Sequence, residues 1–161
     1  MDGAERDGMS SAVRLDTEHA TQNLARIIAR LVQPGDCILL SGPLGAGKSV
    51  FARAFLRAVC QDEALEVPSP TYTLVQTYAA PMCGLSHFDL WRLSGPDELE
   101  ELGWDEARDG IVLVEWPERL EDLTPKSALH LTLSVLPDGT RHGVVSGWSD
   151  RLTPHALSEE L

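Results

Sequence analysis

An eight-residue segment, Gly42-Pro-Leu-Gly-Ala-Gly-Lys-Ser49, most constrains the fold of this chain, because it matches the complete pattern G-x-x-x-x-G-K-[ST]. The apolar run before it, residues 37–41, is typical of a strand buried on both faces. After it, apolar residues recur at helical spacing as far as Cys60. In a strand, glycine loop and helix of this kind, backbone N–H groups and a helix N-terminus bind phosphate. The alternative, a glycine turn that only packs, does not require all four fixed positions of the pattern.

The loop pattern also assigns roles to individual residues. Lys48 is expected to contact the β and γ phosphates of a nucleotide, and the Ser49 hydroxyl is expected to ligate Mg²⁺. The sequence thus predicts a row of nucleotide contacts along the loop and the first helical turn: Leu44, Gly45, Ala46, Gly47, Lys48, Ser49 and Val50.

Two acidic residues are candidates for the metal side of this site. Glu115 directly follows the apolar run Ile111–Val114, which predicts a carboxylate at the end of a strand beside the loop. Asp89 shares one face of a predicted extended segment with His87 and Trp91. A surface glutamate at a strand end and a capping or turn aspartate are the alternative interpretations.

Length and pattern predict one principal domain. The 161 residues suffice for a single core. Residues 1–14 are expected to be a disordered N-terminal arm, residues 15–150 the folded domain, and residues 151–161 a C-terminal tail. Alternation over 129–135, followed by Pro137-Asp138-Gly139 and a second extended run, predicts a β-hairpin near the C-terminus.

The charge balance restricts the possible partners. Asp and Glu number 25 against 13 Lys and Arg, a formal net charge of -12. Unaided binding of DNA or RNA is disfavoured, because neutralisation of phosphates supplies most of that affinity. Much of the acid lies within residues 97–109, and it is either a solvated helix face or a docking surface for a basic partner.

Other classes are excluded by what the sequence does not contain. No apolar stretch approaches the ~18 residues of a membrane span, and the N-terminus does not resemble a signal peptide, so a cytoplasmic protein is expected. The spacing of the three cysteines and five histidines predicts reduced thiols and no zinc site. Asn23 is the only asparagine, and no [NT]-K-x-D guanine-binding motif is present, which favours ATP over GTP.

Four ordered motifs together resemble one known family. They are residues 42–49, Ser69-Pro-Thr-Tyr-Thr-Leu-Val75, His87-Phe-Asp-Leu-Trp-Arg-Leu93 and Val114-Glu-Trp-Pro-Glu-Arg119. They closely resemble the TsaE (YjeE) family of bacterial tRNA threonylcarbamoyladenosine biosynthesis ATPases, over about residues 15–121. The departures are Pro43 in place of aspartate, Ser49 in place of threonine and Trp91 in place of tyrosine. Ser49 keeps the hydroxyl, so metal binding is not put in doubt.

The resemblance implies a fold, a ligand and partners. The implied fold is a P-loop NTPase-like three-layer α/β sandwich with a mainly parallel central sheet and a C-terminal β-hairpin. The implied ligands are ATP and Mg²⁺, with weak hydrolysis by the isolated subunit. Family members act with TsaB and TsaD, which hold the tRNA and modify the adenosine beside the anticodon of tRNAs that read ANN codons. This subunit would therefore contact tRNA only indirectly, through the complex, and would bind neither DNA nor a membrane.

The resemblance also implies roles for residues of this chain. Lys48 and Ser49 hold phosphate and metal, Glu115 is the metal-side acid, and Asp89 supports hydrolysis. Thr71, in a switch-like loop of residues 69–73, could sense the γ-phosphate; a rigid connector is the alternative.

Three further residues complete the expected site. Trp116 is expected to report nucleotide or partner docking, unless it is only a core aromatic residue. Glu18 could border the base, and Arg141 could approach from the hairpin. Two other functions stay open, a small-molecule kinase and a nucleotide-gated binding module.

Overall fold

A computed structural model describes residues 10–153 and Leu157. The strands are β1 (Ser10–Leu15), β2 (Cys37–Ser41), β3 (Val75–Ala79), β4 (Gly84–Asp89), β5 (Ile111–Glu115), β6 (Leu129–Val135) and β7 (Arg141–Ser146). The helices are α1 (Glu18–Leu31), α2 (Lys48–Cys60), α3 (Asp97–Glu101) and α4 (Trp104–Ala107), with a 3-10 segment at Pro117–Leu123.

The described strands form one seven-stranded sheet in the order β1-β7-β6-β2-β5-β4-β3. The four central strands, β6, β2, β5 and β4, run parallel to one another. The outer pairs β1–β7, β6–β7 and β3–β4 are antiparallel. The predicted mainly parallel central sheet and the C-terminal hairpin, β6–β7, are confirmed.

Helices cover both faces of the sheet and give the molecule three layers. The Thr17 side chain accepts a hydrogen bond from the Ala20 amide and begins α1, which packs with α2 over one face. The apolar side chains of α3, α4 and the 3-10 segment pack over the other face. Because β2 and β5 are covered on both faces, their continuous apolar sequences are explained: Ile38 and Leu40 contact one core, and Leu39 contacts the other.

The predicted N-terminal arm is wrong for residues 10–14. They form most of β1, which pairs antiparallel with β7 from Ser10 opposite Ser146 to Leu15 opposite Arg141. The burial of this strand alternates, but Val13 and Leu15 are its only large apolar residues, and so short an alternation does not predict a strand. The pairing comes from backbone groups of a strand far away in the sequence. Residues 1–9 of the predicted arm lie outside the described residues.

The predicted tail is also wrong where the structure describes it. The Arg151 guanidinium donates to both carboxylate oxygens of Asp36, at 2.8 and 3.1 Å, and to the Leu31 carbonyl at 3.0 Å. Leu152 and Leu157 lie in the core beneath α1 and α2. Residues 154–156 and 158–161 lie outside the described part of the chain. The packed residues belong to the domain, and the tail prediction failed because two separate leucines show no periodicity.

Truncation of Leu157 is expected to destabilise the domain. This side chain is 1% exposed, so Leu157→Ala removes buried methyl groups and leaves a cavity. We expect the free energy of unfolding to fall by about 2–4 kcal/mol, measured by urea denaturation. Leu123→Ala, at a leucine that is 42% exposed, is the matched control and should lower it by less than about 1 kcal/mol. Equal losses in the two variants would contradict the packing of Leu157.

Two structural features concern the sequence predictions about membrane spans and cysteines. Among the described residues, no helix is both long enough and apolar enough to cross a bilayer. The three cysteines are free thiols, as predicted, and burial raises the pKa of Cys37 to about 12.

Candidate functional site

The glycine loop joins β2 to α2 at the carboxyl end of the central strands. Gly42 has a φ of +146°, and a Cβ there would lie 2.5 Å from the Leu133 carbonyl oxygen of the neighbouring strand β6. Gly47 has a φ of +106° and leads directly into the helix that starts at Lys48. Glycine is therefore required at these two positions by close backbone approach and by left-handed geometry.

The loop forms one wall of a cavity of about 520 Å³. The residues that line the cavity come from four parts of the fold: Leu44, Gly45, Gly47, Lys48, Ser49, Val50, Ser69, Thr71, Asp89, Trp91, Glu115, Trp116 and Arg141. A second cavity, of about 560 Å³, lies between β3–β4 and α4 and contains no residue of the loop. Only the first brings the loop lysine together with the two strand-end carboxylates, so it is the candidate site.

Lys48 is buried without an acidic partner among the described residues. It is 7% exposed, its Nζ lies 4.3 Å from the centroid of the Trp116 ring, and it forms no ion pair with a described carboxylate. Trp116 has a left-handed backbone, with φ 57° and ψ 53°, and its ring also packs on Trp91 at 4.4 Å. A cation over an aromatic ring compensates little of the cost of burial, so the ammonium is available to an anion in the cavity.

Two carboxylates approach the cavity from neighbouring strand ends. Asp89 and Glu115 lie opposite each other in the register of β4 and β5. Asp89 is 5% exposed; its Oδ2 accepts a hydrogen bond from the Thr71 hydroxyl at 3.2 Å and its Oδ1 accepts one from the Trp91 amide at 3.0 Å. Ser69 and Thr71 share a further hydroxyl hydrogen bond of 2.7 Å. The loop after α2 is thereby tied to the strand that carries Asp89.

The remaining predicted residues are placed as follows. Arg141, at the start of β7, donates from Nε to the Gly45 carbonyl at 3.0 Å and so contacts the loop itself. Ser49 and Val50 line the cavity from the first turn of α2, and Leu44 is 90% exposed at its edge. Two predicted residues do not line the cavity. Ala46, within the loop, is fully buried, and Glu18 is exposed at the start of α1.

Sequence reasoning gave no role to His87, although its face of β4 was predicted. Its Nε2 lies 2.8 Å from Oε2 of Glu115, and the imidazole is 2% exposed. The alternation that placed His87 beside Asp89 was the signal that could have found it. The register between β4 and β5, which the sequence does not reveal, decides that it meets Glu115.

The donor set around the loop suits a hard cation. Ser49, Asp89 and Glu115 offer a hydroxyl and two carboxylates on one cavity, and oxygen ligands of this kind are those that Mg²⁺ binds. The described residues contain no cluster of three or more His, Cys, Asp or Glu side chains able to hold a metal by themselves. Magnesium in phosphate sites takes only one or two protein oxygens and completes its shell with phosphate and water, so the residues present fit it.

The three layers of helices and sheet, together with a glycine loop between a buried strand and a helix, define a P-loop NTPase-like α/β protein. A family model described as "Threonylcarbamoyl adenosine biosynthesis protein TsaE" matches residues 15–142. The chain belongs to the TsaE family, which is involved in tRNA threonylcarbamoyladenosine biosynthesis.

Relatives support this membership along most of the chain. The tRNA threonylcarbamoyladenosine biosynthesis protein TsaE of Rickettsia felis is 38% identical over 128 residues, which are 79% of this chain and 74% of that protein. The TsaE of Bacillus subtilis is 33% identical over 143 residues, covering 88% and 87% of the two chains. The crystal structure of Bacillus subtilis YdiB superposes with a TM-score of 0.69 at 26% identity, covering 94% of this chain and 93% of that one.

Proposed function

We propose that this protein is a Mg²⁺-dependent ATPase that supports threonylcarbamoyladenosine formation in tRNA together with TsaB and TsaD. The observation that carries the proposal is the convergence of Lys48, Ser49, Asp89 and Glu115 on one cavity at the end of the central strands. Lys48, buried beside a glycine loop and without an acidic partner among the residues that the structure describes, is suited to a triphosphate.

Each part of the site has a task in this proposal. The loop backbone from Leu44 to Gly47 binds the phosphates, and Arg141 holds the loop by its bond to the Gly45 carbonyl. Lys48, whose ammonium lies 4.3 Å from the centroid of the Trp116 ring, would contact the β and γ phosphates. Ser49 and Glu115 are the residues that would hold Mg²⁺, which when bound neutralises charge on the phosphates.

The loop at residues 69–73 is proposed to respond to the γ-phosphate. Thr71 lines the cavity while its hydroxyl donates to Asp89, so a phosphate oxygen would compete for the same hydrogen. The backbone of this loop is already constrained, because the Leu74 amide donates to the Pro70 carbonyl at 2.7 Å and Leu74 has a φ of 72°. A change of partner by Thr71 would move the exposed Tyr72 and alter the surface beside the cavity.

Family membership and charge support a proposal for the partners and the location of this protein. The net charge of -12 makes direct tRNA binding unfavourable, so contact with tRNA is proposed to be indirect, through TsaD and TsaB. Because its pathway modifies tRNA, the protein is proposed to act in the cytoplasm.

Phosphate release from ATP, with and without the TsaB–TsaD pair, tests this proposal. We expect slow release by the protein alone, an increase when the pair is added, and dependence on Mg²⁺. Phosphate transfer to a metabolite without need of partners would instead indicate a small-molecule kinase. ATP binding with no turnover under any condition would indicate a nucleotide-gated binding module.

A further inference from the structure

His87 is a buried histidine that does not line the cavity but contacts a residue that does. It lies on β4 with 2% of its side chain exposed, and its Nε2 is 2.8 Å from Oε2 of Glu115. Glu115 ends the neighbouring strand β5 and lines the candidate site. The imidazole therefore contacts the carboxylate of the proposed metal site without lining the cavity itself.

The direction of this hydrogen bond follows from the chemistry of the two groups. An ionised carboxylate only accepts hydrogen bonds, so Nε2 of His87 must carry the proton and donate. This donation occupies Oε2 of Glu115 and leaves Oε1 outside the contact. One oxygen is thus held by the protein, and the side chain cannot rotate freely.

His87 has both apolar and polar neighbours on the adjacent strands. Its register partners are Leu113 of β5 and Gln76 of β3, and its neighbours on the same face of β4 are Leu85, which belongs to the apolar core, and Asp89. Its Nδ1 is buried and has no hydrogen-bond partner among the described residues. An unpaired buried nitrogen is destabilising, and a leucine would pack here without that cost. Within the part of the chain that the structure describes, the bond to Glu115 is the side-chain hydrogen bond that His87 forms, and it explains a histidine at this position.

We infer that His87 is a positioning residue, whose Nε2–H fixes Oε2 of Glu115 so that the other carboxylate oxygen is presented to Mg²⁺ or to its water. The inference rests on the proposed nucleotide and metal site. Residues behind a metal ligand orient that ligand, and their loss typically weakens metal affinity by about 10–100-fold. Because His87 does not line the cavity, it would act on the metal only through Glu115.

Two variants separate the hydrogen bond from the packing. His87→Leu keeps an apolar side chain of similar size and removes the donor, whereas His87→Gln supplies an amide N–H at a similar distance from the backbone. Calorimetric titration of each protein with ADP, in excess Mg²⁺ and in EDTA, gives the gain in affinity due to the metal. We expect His87→Leu to lose at least about 10-fold of this gain with unchanged affinity in EDTA, and His87→Gln to recover most of it.

The controls distinguish this inference from the proposed function. Absence of ADP binding in the unmodified protein would overturn the proposed site. Normal Mg²⁺-dependent binding in the unmodified protein together with an equal gain in His87→Leu would overturn the role of His87 alone. A loss in both His87 variants with no rescue by glutamine would also overturn it, because that pattern indicates packing.

A measurement on the unmodified protein keeps the inference testable if His87→Leu does not fold. Long-range ¹H–¹⁵N NMR spectra of the imidazole report which nitrogen carries the proton. We expect a protonated Nε2, both without nucleotide and with Mg²⁺–ADP. A neutral Nδ1–H tautomer in either state would overturn the inference, since Nε2 could not then donate to Glu115.

Discussion

Replacement of Lys48 is expected to abolish hydrolysis without weakening the fold. Its ammonium is buried over the Trp116 ring with no acidic partner among the described residues, so it contributes little to stability and is available to phosphate. In Lys48→Ala we expect steady-state phosphate release to fall by about 100-fold or more, in line with the loss of one charged group that stabilises a transition state. Nucleotide affinity, measured by calorimetry, should fall by about 10–100-fold, because a charge-assisted contact to phosphate is lost.

The stability of the Lys48 variants provides the sharper test. Lys48→Met keeps the length of the side chain and removes the charge, so its free energy of unfolding should equal or exceed that of the parent protein. The chain has one other lysine, Lys126, which is exposed, and Lys126→Met is the matched control with unchanged hydrolysis. Phosphate release at the parent rate by Lys48→Ala would remove the basis of the proposed site. A strongly destabilised Lys48→Met would show instead that the lysine serves the fold.

The sequence predicts those parts of the fold that local pattern dictates. The continuous apolar runs of β2 and β5 identify strands covered on both faces, and Pro137-Asp138-Gly139 identifies the hairpin of β6 and β7. The strand and the helix on either side of the glycine loop are also predicted, because the pattern of residues 42–49 is typical of a turn between a buried strand and a helix. In each of these segments the information lies within a few neighbouring residues.

Features that depend on distant segments escaped prediction. Strand β1 forms because backbone groups of β7 pair with it, and Arg151 joins the domain because Asp36 is within reach of its guanidinium. Neither partner is recognisable from the local sequence. The placement of Trp116 over Lys48 depends on a left-handed backbone that the sequence gives no reason to expect at a tryptophan.

In the candidate site, too, the sequence predicts what local pattern determines and misses what depends on contacts between distant segments. Lys48, Ser49 and Glu115 were predicted because each follows an apolar run or a glycine loop directly. The position of Glu18 at the start of the first helix predicts a place beside the base, but Glu18 does not line the cavity. The register between β4 and β5 puts Asp89 opposite Glu115 and brings His87 within 2.8 Å of the same carboxylate, and register is a property of two strands together.

Glu115 variants are expected to separate nucleotide binding from hydrolysis. In the proposed site the glycine loop and Lys48 hold the phosphates independently of this carboxylate, so Glu115→Gln should bind ADP in EDTA with unchanged affinity. Because its amide cannot supply negative charge to Mg²⁺, we expect phosphate release to fall by about 100-fold or more. Calorimetry and steady-state phosphate release on the same preparation measure the two properties. Loss of binding in EDTA would contradict this division of roles.

Because Glu115 contacts His87, Glu115→Gln and Glu115→Ala are expected to differ in stability. In Glu115→Gln the side-chain carbonyl can still accept the Nε2–H of His87, so stability should stay within about 0.5 kcal/mol of the parent protein. Glu115→Ala leaves that buried N–H without its acceptor and should cost about 1–3 kcal/mol in urea denaturation, in addition to the loss of hydrolysis. Glu66→Gln, at an exposed glutamate outside the cavity wall, is the control for both measurements. Equal stability of Glu115→Ala and Glu115→Gln would show that the His87 contact adds nothing to the fold, and the hydrolysis result would then stand alone.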